Sequence, residues 1–236
     1  MSALAPARPV PPCAYPRRMA HHVVWDWNGT LLADQGAVLD ALNALMVEYG
    51  LPPTDMDTYR RLYTRPVRRF YERLLDKPIE DAEWHWIDDH FHTAYAAALE
   101  KVQLDLHAHD VLDRVEATGR SQSLLSMARH DDLVRLVTAY GIHERFLRVD
   151  GVRGPGGDRK ARYLEAHLRA LALDEHIAPS KILVVGDAVD DAHAAMHVGA
   201  HCVLYDGGSH PVEELEATGL RVARTPTEAL EIAGVD

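Results

Sequence analysis

The sequence predicts an α/β fold in which one parallel β-sheet carries α-helices on both faces. Apolar runs of strand length recur along the chain, and segments with helical periodicity separate them. The apolar runs occupy residues 22–26, 122–126, 181–186 and 200–205. Because strands that alternate with helices pair in parallel, we expect functional residues at the carboxyl ends of these strands.

A third observation predicts a helical insertion between the first and second strands. The interval 37–108 contains apolar residues at helical spacing and no strand candidate. It is long enough to form a small core of its own, which favours a separate cap over extra helices packed flat on the sheet. The predicted division is therefore a core of residues 21–36 and 109–236 with a helical cap of residues 37–108.

The first 20 residues are rich in alanine and proline and lack the continuous apolar stretch of a signal peptide. Residues 1–20 are therefore predicted to form a disordered tail. Met19 stands just before the first strand, so translation could begin at Met1 or at Met19.

Composition limits the class of partner. The chain of 236 residues has a formal charge of -11, which argues against binding to nucleic acid or to an anionic membrane surface. A small anionic substrate stays compatible with this charge, because a site can be locally positive. The two cysteines form no disulfide framework, and no apolar run approaches the roughly 20 residues of a membrane span. We therefore expect a cytoplasmic protein, and the sequence leaves its oligomeric state open.

The first apolar run ends in a carboxylate that a glycine turn follows. Asp26 opens the segment Asp-Trp-Asn-Gly-Thr-Leu. A carboxylate at the end of a strand can attack phosphorus and form an aspartyl-phosphate. An aspartate after a strand is also common as a helix cap, and Asp26 alone would favour that interpretation. The later segments shift the balance to the nucleophile.

The second apolar run ends at Ser126, which lies 100 residues after Asp26. A hydroxyl at the carboxyl end of a strand can hydrogen-bond a phosphate oxygen. The other interpretation is a serine that caps the next helix. Ser121 and Ser123 are the nearby alternatives.

Lys160 stands where a loop enters a helix, in a chain that has only four lysines. Cations are disfavoured at helix N-termini, so a lysine retained there indicates a role. The predicted role is to neutralise the charge of a nucleophile and a phosphate. Arg159 and Arg162 are the alternatives, and a solvated surface lysine is the plainer interpretation.

The third apolar run leads into an acidic turn. Gly186 ends the run, Asp187 follows it directly, and Asp191 lies four residues after Asp187. Mg²⁺ prefers hard oxygen ligands, usually one or two carboxylates with water and phosphate. The acidic turn is thus predicted to hold Mg²⁺ together with Asp26. The alternative is a capping box with surface acids.

In this order the four segments resemble the four motifs of the haloacid dehalogenase-like superfamily of phosphotransferases, over about residues 21–223. The resemblance implies a Rossmann-like core with a helical cap. It implies Mg²⁺-dependent hydrolysis of a small phosphate monoester, of the phosphoglycolate or sugar-phosphate type, through an aspartyl-phosphate on Asp26. It also implies that Thr30 steadies the substrate-binding loop and that the backbone carbonyl of Asn28 binds the metal.

Asn28 departs from the family pattern. Phosphatases of this family usually carry a second aspartate there, and general acid–base catalysis contributes roughly 10²–10⁴ in rate. An amide can neither give nor accept that proton. The alternatives are a substrate with a good leaving group, a proton from the substrate or the cap, a catalytically degenerate protein that binds phosphate ligands or partners, or a phosphomutase on the same core.

The predicted cap contains a basic and aromatic stretch at residues 59–71. This stretch resembles the substrate-specificity loop of phosphoglycolate- and sugar-phosphate-type phosphatases. Arg65, at the break before Pro66, is predicted to bind a substrate anion. Arg60 and the other arginines of the stretch are expected to form a solvated helix face.

Overall fold

A computed structural model of the protein describes residues 20–64, 66–154, 159–175 and 178–235, with the backbone alone for residues 172–175. It has one six-stranded sheet whose strands are β1 His22–Trp25, β2 Ser121–Arg129, β3 Val149–Val152, β4 Ile182–Gly186, β5 His201–Tyr205 and β6 Arg221–Ala223. The strand order is β3-β2-β1-β4-β5-β6, and every pairing is parallel. The predicted parallel α/β fold is confirmed.

The helices of the described residues are α1 Gln35–Glu48, α2 Met56–Leu62, α3 Val67–Leu74, α4 Asp81–Leu99, α5 Ala108–Ala117, α6 His130–Ala139, α7 Lys160–Glu175, α8 Val189–Val198, α9 Val212–Glu216 and α10 Pro226–Ala233. Two apolar cores lie on opposite faces of the sheet because side chains alternate along each strand. Val23 and Trp25 enter the core under α5, α6 and α10, whereas Val24 enters the core under α7 and α8.

The sequence did not predict two of the strands, and a third strand is longer than predicted. β3 contains Asp150 and Gly151, and β6 has three residues, so neither is an apolar run. β2 continues to Arg129, so the expectation that Ser126 ends the strand is wrong. Ser126 nevertheless lies beyond the end of β1, because Trp25 pairs with Leu124 two residues earlier.

Helices α1–α4, called the helical insertion (residues 35–99), lie between β1 and β2 and have an apolar core of their own. Leu42, Tyr59, Phe70 and Ile87 are buried in it. The chain leaves and re-enters the sheet at one place, where Leu32 and Leu104 form an isolated bridge. The insertion corresponds to the predicted cap, whose domain boundaries stay a prediction.

A buried polar chain crosses the sheet beneath α7. This histidine chain consists of His22 of β1, Ser123 of β2, His167 of α7 and Asp150 of β3. His22 Nε2 lies 2.7 Å from the Ser123 hydroxyl, which lies 2.8 Å from His167 Nε2. His167 Nδ1 lies 2.8 Å from Asp150 Oδ2. Because α7 begins at Lys160, the chain also fixes the helix that presents this lysine.

Candidate active site

The central strands β1 and β4 end side by side, at the point where the strand order reverses. Trp25 pairs with Val185, and the N–H of Asp26 donates to the carbonyl of Val185 at 2.9 Å. Asp187 directly follows β4. Open α/β sheets form their ligand crevice at such a reversal, outside the carboxyl ends of the strands. Asp26 and Asp187 therefore stand at the mouth of that crevice.

Three aspartate side chains converge there. Asp26, Asp187 and Asp191 each offer a carboxylate oxygen, and these oxygens lie within 4.8 Å of one another. The residues are only 7%, 4% and 0% exposed, respectively. Asp191 reaches the cluster from the first turn of α8, where one of its oxygens accepts the N–H of Ala188 at 3.0 Å.

Lys160 is the cation of this group, called the carboxylate cluster (Asp26, Asp187, Asp191 and Lys160). It is the first residue of α7 and is 5% exposed. Its ammonium contacts the carboxylate of Asp26 and lies 2.5 Å from Asp191 Oδ1. Arg159 and Arg162, the alternatives from the sequence, are exposed. Of the three basic side chains, Lys160 is the one that enters the cluster.

Burial and like charge perturb the titration of the cluster. Burial raises the pKa of Asp26 to about 6, although the Lys160 ammonium opposes this shift. Burial, followed by the charges of Asp26 and Asp191, raises the pKa of Asp187 well above its ordinary value. Burial would lower the pKa of Lys160, but the two carboxylates outweigh it and raise that pKa. Three carboxylates against one ammonium leave a charge that a further cation would relieve.

The surroundings of Asp187 fit a small, hard cation. A Cβ atom would lie 2.7 Å from Asp187 Oδ2 if it were added to Gly29, whose φ is 72°, and 1.8 Å away if added to Gly208. The N–H of Ser209 donates to the same oxygen at 2.8 Å. The two glycines thus leave a cradle at the carboxylate, and carboxylate oxygens are the ligands that Mg²⁺ prefers.

The remaining predicted residues of the core lie on the loop after β1 and on β2. Asn28 is partly buried, and its Oδ1 accepts the Ser126 hydroxyl at 3.3 Å. The Ser126 oxygen also accepts the N–H of Ala128 at 3.0 Å. Thr30 is fully buried, and its hydroxyl has no hydrogen-bond partner among the described residues. Its N–H donates to the carbonyl of Trp27, so its backbone helps to hold the turn.

Sequence reasoning missed two residues that hold Asn28. Asp34, which precedes α1, accepts hydrogen bonds from the Asn28 amide and from the N–H of Gly29, both at 2.8 Å. Tyr95 of α4 donates to the same carboxylate at 2.5 Å. Burial raises the pKa of Asp34 despite these three donors. A carboxylate between the first strand and the first helix was the available signal, whereas nothing in the sequence pointed to Tyr95.

The helical insertion contacts the loop that holds Asp187. Arg60 of α2 donates to the carbonyls of Gly208 at 2.9 Å and Gly207 at 3.3 Å. The rings of Tyr63 and His210 meet edge to face, with centroids 5.1 Å apart. The expectation of a solvated Arg60 is therefore wrong, because the loop carbonyls bind its guanidinium. Arg65, predicted to bind a substrate anion, lies outside the described residues.

Comparisons with known proteins agree with this architecture. A family model described as haloacid dehalogenase-like hydrolase matches residues 23–205. A curated relative, the phosphoglycolate phosphatase of Caulobacter vibrioides, is 24% identical over 202 residues, which is 83% of this chain and 84% of the relative.

Solved structures share the fold at low sequence identity. A haloacid dehalogenase-like family hydrolase from Streptococcus pneumoniae aligns with a TM-score of 0.75 at 18% identity, over 90% of this chain and 98% of its own. The Rhodobacter sphaeroides protein CbbY, in complex with xylulose-(1,5)-bisphosphate, aligns with a TM-score of 0.68 at 19% identity, over 89% and 96% of the two chains. Within the described residues, no helix combines the length and the apolar character that crossing a bilayer requires.

Proposed function

The chain belongs to the haloacid dehalogenase-like hydrolase family, and we propose that it is a phosphatase that hydrolyses a small phosphate monoester through an aspartyl-phosphate on Asp26. The family membership confirms the resemblance seen in the sequence and the expected enzyme class, a hydrolase of this family. The observation that carries the proposal is the buried contact of Asp26 with Lys160 at the carboxyl end of β1.

The proposed reaction has two displacements at phosphorus. An Asp26 carboxylate oxygen attacks the phosphorus, the ester P–O bond breaks, and the alcohol oxygen leaves with the bonding electrons and takes up a proton from solvent. Water then attacks the phosphorus and gives up a proton to solvent, and the P–O bond to Asp26 breaks, which releases inorganic phosphate and restores the carboxylate. Lys160 compensates the negative charge on Asp26 and on the transferring phosphoryl group. The Ser126 hydroxyl, within reach of Asn28, is suited to bind a phosphoryl oxygen.

Asp26, Asp187, Asp191 and the carbonyl of Asn28 would hold the proposed Mg²⁺. When bound, the ion would neutralise charge on the phosphoryl oxygens. The excess of carboxylates and the cradle at Gly29 and Gly208 support this assignment. Lys160 alone cannot balance three carboxylates and a dianionic phosphate group.

The helical insertion is proposed to act as the cap that limits the size of the substrate. Its contacts with Gly207, Gly208 and His210 place it against the loop next to Asp187. Phosphoglycolate or a sugar phosphate is the proposed substrate class, which the Caulobacter relative and the bisphosphate complex of CbbY support. Arg65 of the insertion is proposed to bind a substrate anion. The proposed compartment is the cytoplasm.

A second candidate function is binding of a phosphate ligand without turnover. Asn28 favours it, because both of its N–H hydrogens face acceptors of the protein and an amide supplies no proton to a leaving group. A phosphomutase on the same core would also need proton transfer near residue 28. Turnover therefore separates the candidates.

The test is a panel of phosphate monoesters, assayed with the purified protein in Mg²⁺ and after removal of Mg²⁺ by chelation. We expect release of inorganic phosphate that requires Mg²⁺. Since the site lacks the family's acid, an aryl phosphate should react faster than an alkyl phosphate by about 10²-fold or more. Binding of the esters without phosphate release would favour the second candidate, and transfer of phosphate within a sugar would favour the phosphomutase.

A further inference from the structure

The Asn28 amide is fixed in direction by its neighbours. Nδ2 lies 2.8 Å from Asp34 Oδ2 and 2.8 Å from the Tyr95 hydroxyl. Oδ1 faces the Ser126 hydroxyl at 3.3 Å. Of the two polar atoms of the amide, only the nitrogen can donate to a carboxylate, so Nδ2 must point toward Asp34. Both hydrogens of Nδ2 are then in use, and Oδ1 is left to accept the Ser126 hydroxyl.

Asn28 can donate a hydrogen bond to the Asp34 carboxylate, whereas an aspartate at the same position could not. An aspartate at residue 28 would place a carboxylate oxygen where Nδ2 lies, 2.8 Å from Asp34 Oδ2. Asp34 is 3% exposed, so two ionised carboxylates at that distance would repel each other in a poorly solvated place. In this chain the carboxylate of the pair stands at residue 34, and the amide of residue 28 stands opposite it.

The third member of this group comes from the helical insertion. Tyr95 lies on α4, and its hydroxyl donates to Asp34 and accepts from Asn28. It is separated from these two residues by 61 and 67 positions in the sequence. The group is therefore complete only while α4 lies against the loop that follows β1.

We propose that Asp34 and Tyr95 are positioning residues, which fix the Asn28 side chain two residues after Asp26 and make its position depend on docking of the helical insertion. Asn28 and Asp34 form an exchanged pair, in which amide and carboxylate can trade places but cannot both be carboxylates. The inference rests on the proposed function for its kinetic consequences, and the packing it describes has a test that needs no activity.

The first test is a double-mutant cycle on stability. The four proteins are the wild type, Asn28→Asp, Asp34→Asn and the exchange Asn28→Asp/Asp34→Asn. At neutral pH without Mg²⁺ we expect Asn28→Asp to lower the Tm by about 2–4 °C or more, and the exchange variant to recover most of that loss. Additive Tm changes across the cycle would overturn the inference whether or not the protein proves to be a phosphatase.

The second test uses Tyr95→Phe, which removes one hydroxyl and keeps the ring. The matched control is Tyr49→Phe, because the Tyr49 hydroxyl also lies in the insertion and donates to Glu83 at 2.7 Å, away from the site. We expect Tyr95→Phe to lower kcat by about 10- to 100-fold with little change in KM. Without the Tyr95 hydroxyl the Asn28 side chain is held less firmly, and the reacting atoms are oriented less well. Tyr49→Phe should keep the wild-type kcat.

The same assays are run on the cycle with one aryl and one alkyl phosphate. Asn28→Asp alone should stay slow on both esters, and the exchange variant should regain activity and lower the aryl-to-alkyl ratio of kcat/KM. Full alkyl activity of Asn28→Asp alone, or equal kcat for Tyr95→Phe and Tyr49→Phe, would overturn the inference. If the wild type releases no phosphate from any ester, the proposed function fails, and the stability cycle alone decides the inference.

Discussion

The sheet carries two buried polar groups that differ in how their charge is balanced. The carboxylate cluster has three carboxylates and one ammonium at the carboxyl end of the sheet. The histidine chain lies within the sheet and is closed. There, His167 Nδ1–H donates to Asp150, so Ser123 can donate to His167 Nε2 and accept from His22 Nε2–H. Both histidines are neutral there, and the guanidinium of Arg148 pairs with the Asp150 carboxylate, so that charge is balanced.

The difference separates a ligand site from a structural network. Ser123, His167 and Asp150 have the connectivity of a catalytic triad, yet Ser123 is fully buried and its hydroxyl already serves two imidazoles. A satisfied polar network specifies packing, whereas an unbalanced one retains capacity for a ligand. Both groups are almost completely buried, so the balance of charge is what distinguishes them.

The largest expected effect is on turnover and concerns Asp26. Asp26→Asn should lower kcat by about 10³-fold or more, because the amide is close in shape but cannot form an acyl-phosphate. Its Tm should stay near that of the wild type, since Lys160 keeps the carboxylate of Asp191 as a partner. Steady-state phosphate release and thermal unfolding measure the two quantities. Asp190→Asn, on the same acidic turn, is the matched control, and equal loss in both variants would refute the nucleophile.

The second prediction concerns the unbalanced charge. Mg²⁺ at about 100 times its Kd should stabilise the wild type by about 2.7 kcal/mol, and Asp187→Asn should lose most of this gain. Without Mg²⁺, Asp187→Asn should be more stable than the wild type, because burial and the neighbouring carboxylates disfavour its ionised form. Thermal unfolding with and without Mg²⁺ tests both statements. If the wild type unfolds at the same temperature in Mg²⁺ and in chelator, the proposed metal site is wrong.

The third prediction is that acid affects the two groups in opposite directions. Burial lowers the pKa of His22 to about 3 and also lowers that of His167. Their neutral forms therefore stabilise the fold fully above pH 6.5, the ordinary pKa, and this contribution is lost as the pH falls toward the lowered values. The slope is about 1.4 kcal/mol per pH unit for each histidine. The raised pKa of Asp26, about 6, affects stability in the opposite direction. Its ionised form lowers the stability at neutral pH, and this loss of stability disappears as the pH falls through that value.

Two variants resolve these slopes by chemical denaturation between about pH 5 and 7.5. At neutral pH the wild type should be more stable than His167→Gln and, without Mg²⁺, less stable than Asp187→Asn. Both differences should shrink toward pH 5, from opposite sides. Differences that stay constant over this range would mean that neither group titrates as described.

The sequence predicted the carboxylate cluster better than the histidine chain for a physical reason. Asp26, Lys160 and Asp187 stand at the ends of elements, and parallel strands bring their carboxyl ends to one edge of the sheet. A residue that the sequence places at the end of a strand can therefore be assigned to that edge of the sheet. The histidine chain joins residues 17 to 101 positions apart that lie before the carboxyl ends of their strands or within α7, where no end rule applies. β3 was not predicted because Asp150 interrupts its apolar run. In the structure, Arg148 balances the charge of Asp150 and His167 donates a hydrogen bond to it.

The same limit applied to Asn28. The sequence identified it as a departure from the family pattern that lacks an acid. The partner that fixes its side chain, Asp34, lies only six residues away. Its meaning depends on Tyr95, whose contact with the loop requires the packed insertion.

The smallest expected effect tests whether the histidine chain is closed. Ser123→Ala would leave His22 Nε2–H and His167 Nε2 without their shared partner in a place that water does not reach, which should lower the stability by about 1–3 kcal/mol. Ser121→Ala is the matched control, because the Ser121 hydroxyl contacts His22 Nδ1 at 2.8 Å but is only partly buried. Water can replace that hydroxyl, so its loss should cost less than about 1 kcal/mol. Chemical denaturation at neutral pH measures both free energies of unfolding. Equal losses of stability in the two variants would mean that water reaches Ser123. The contrast between a closed structural network and a ligand site with unbalanced charge would then no longer hold.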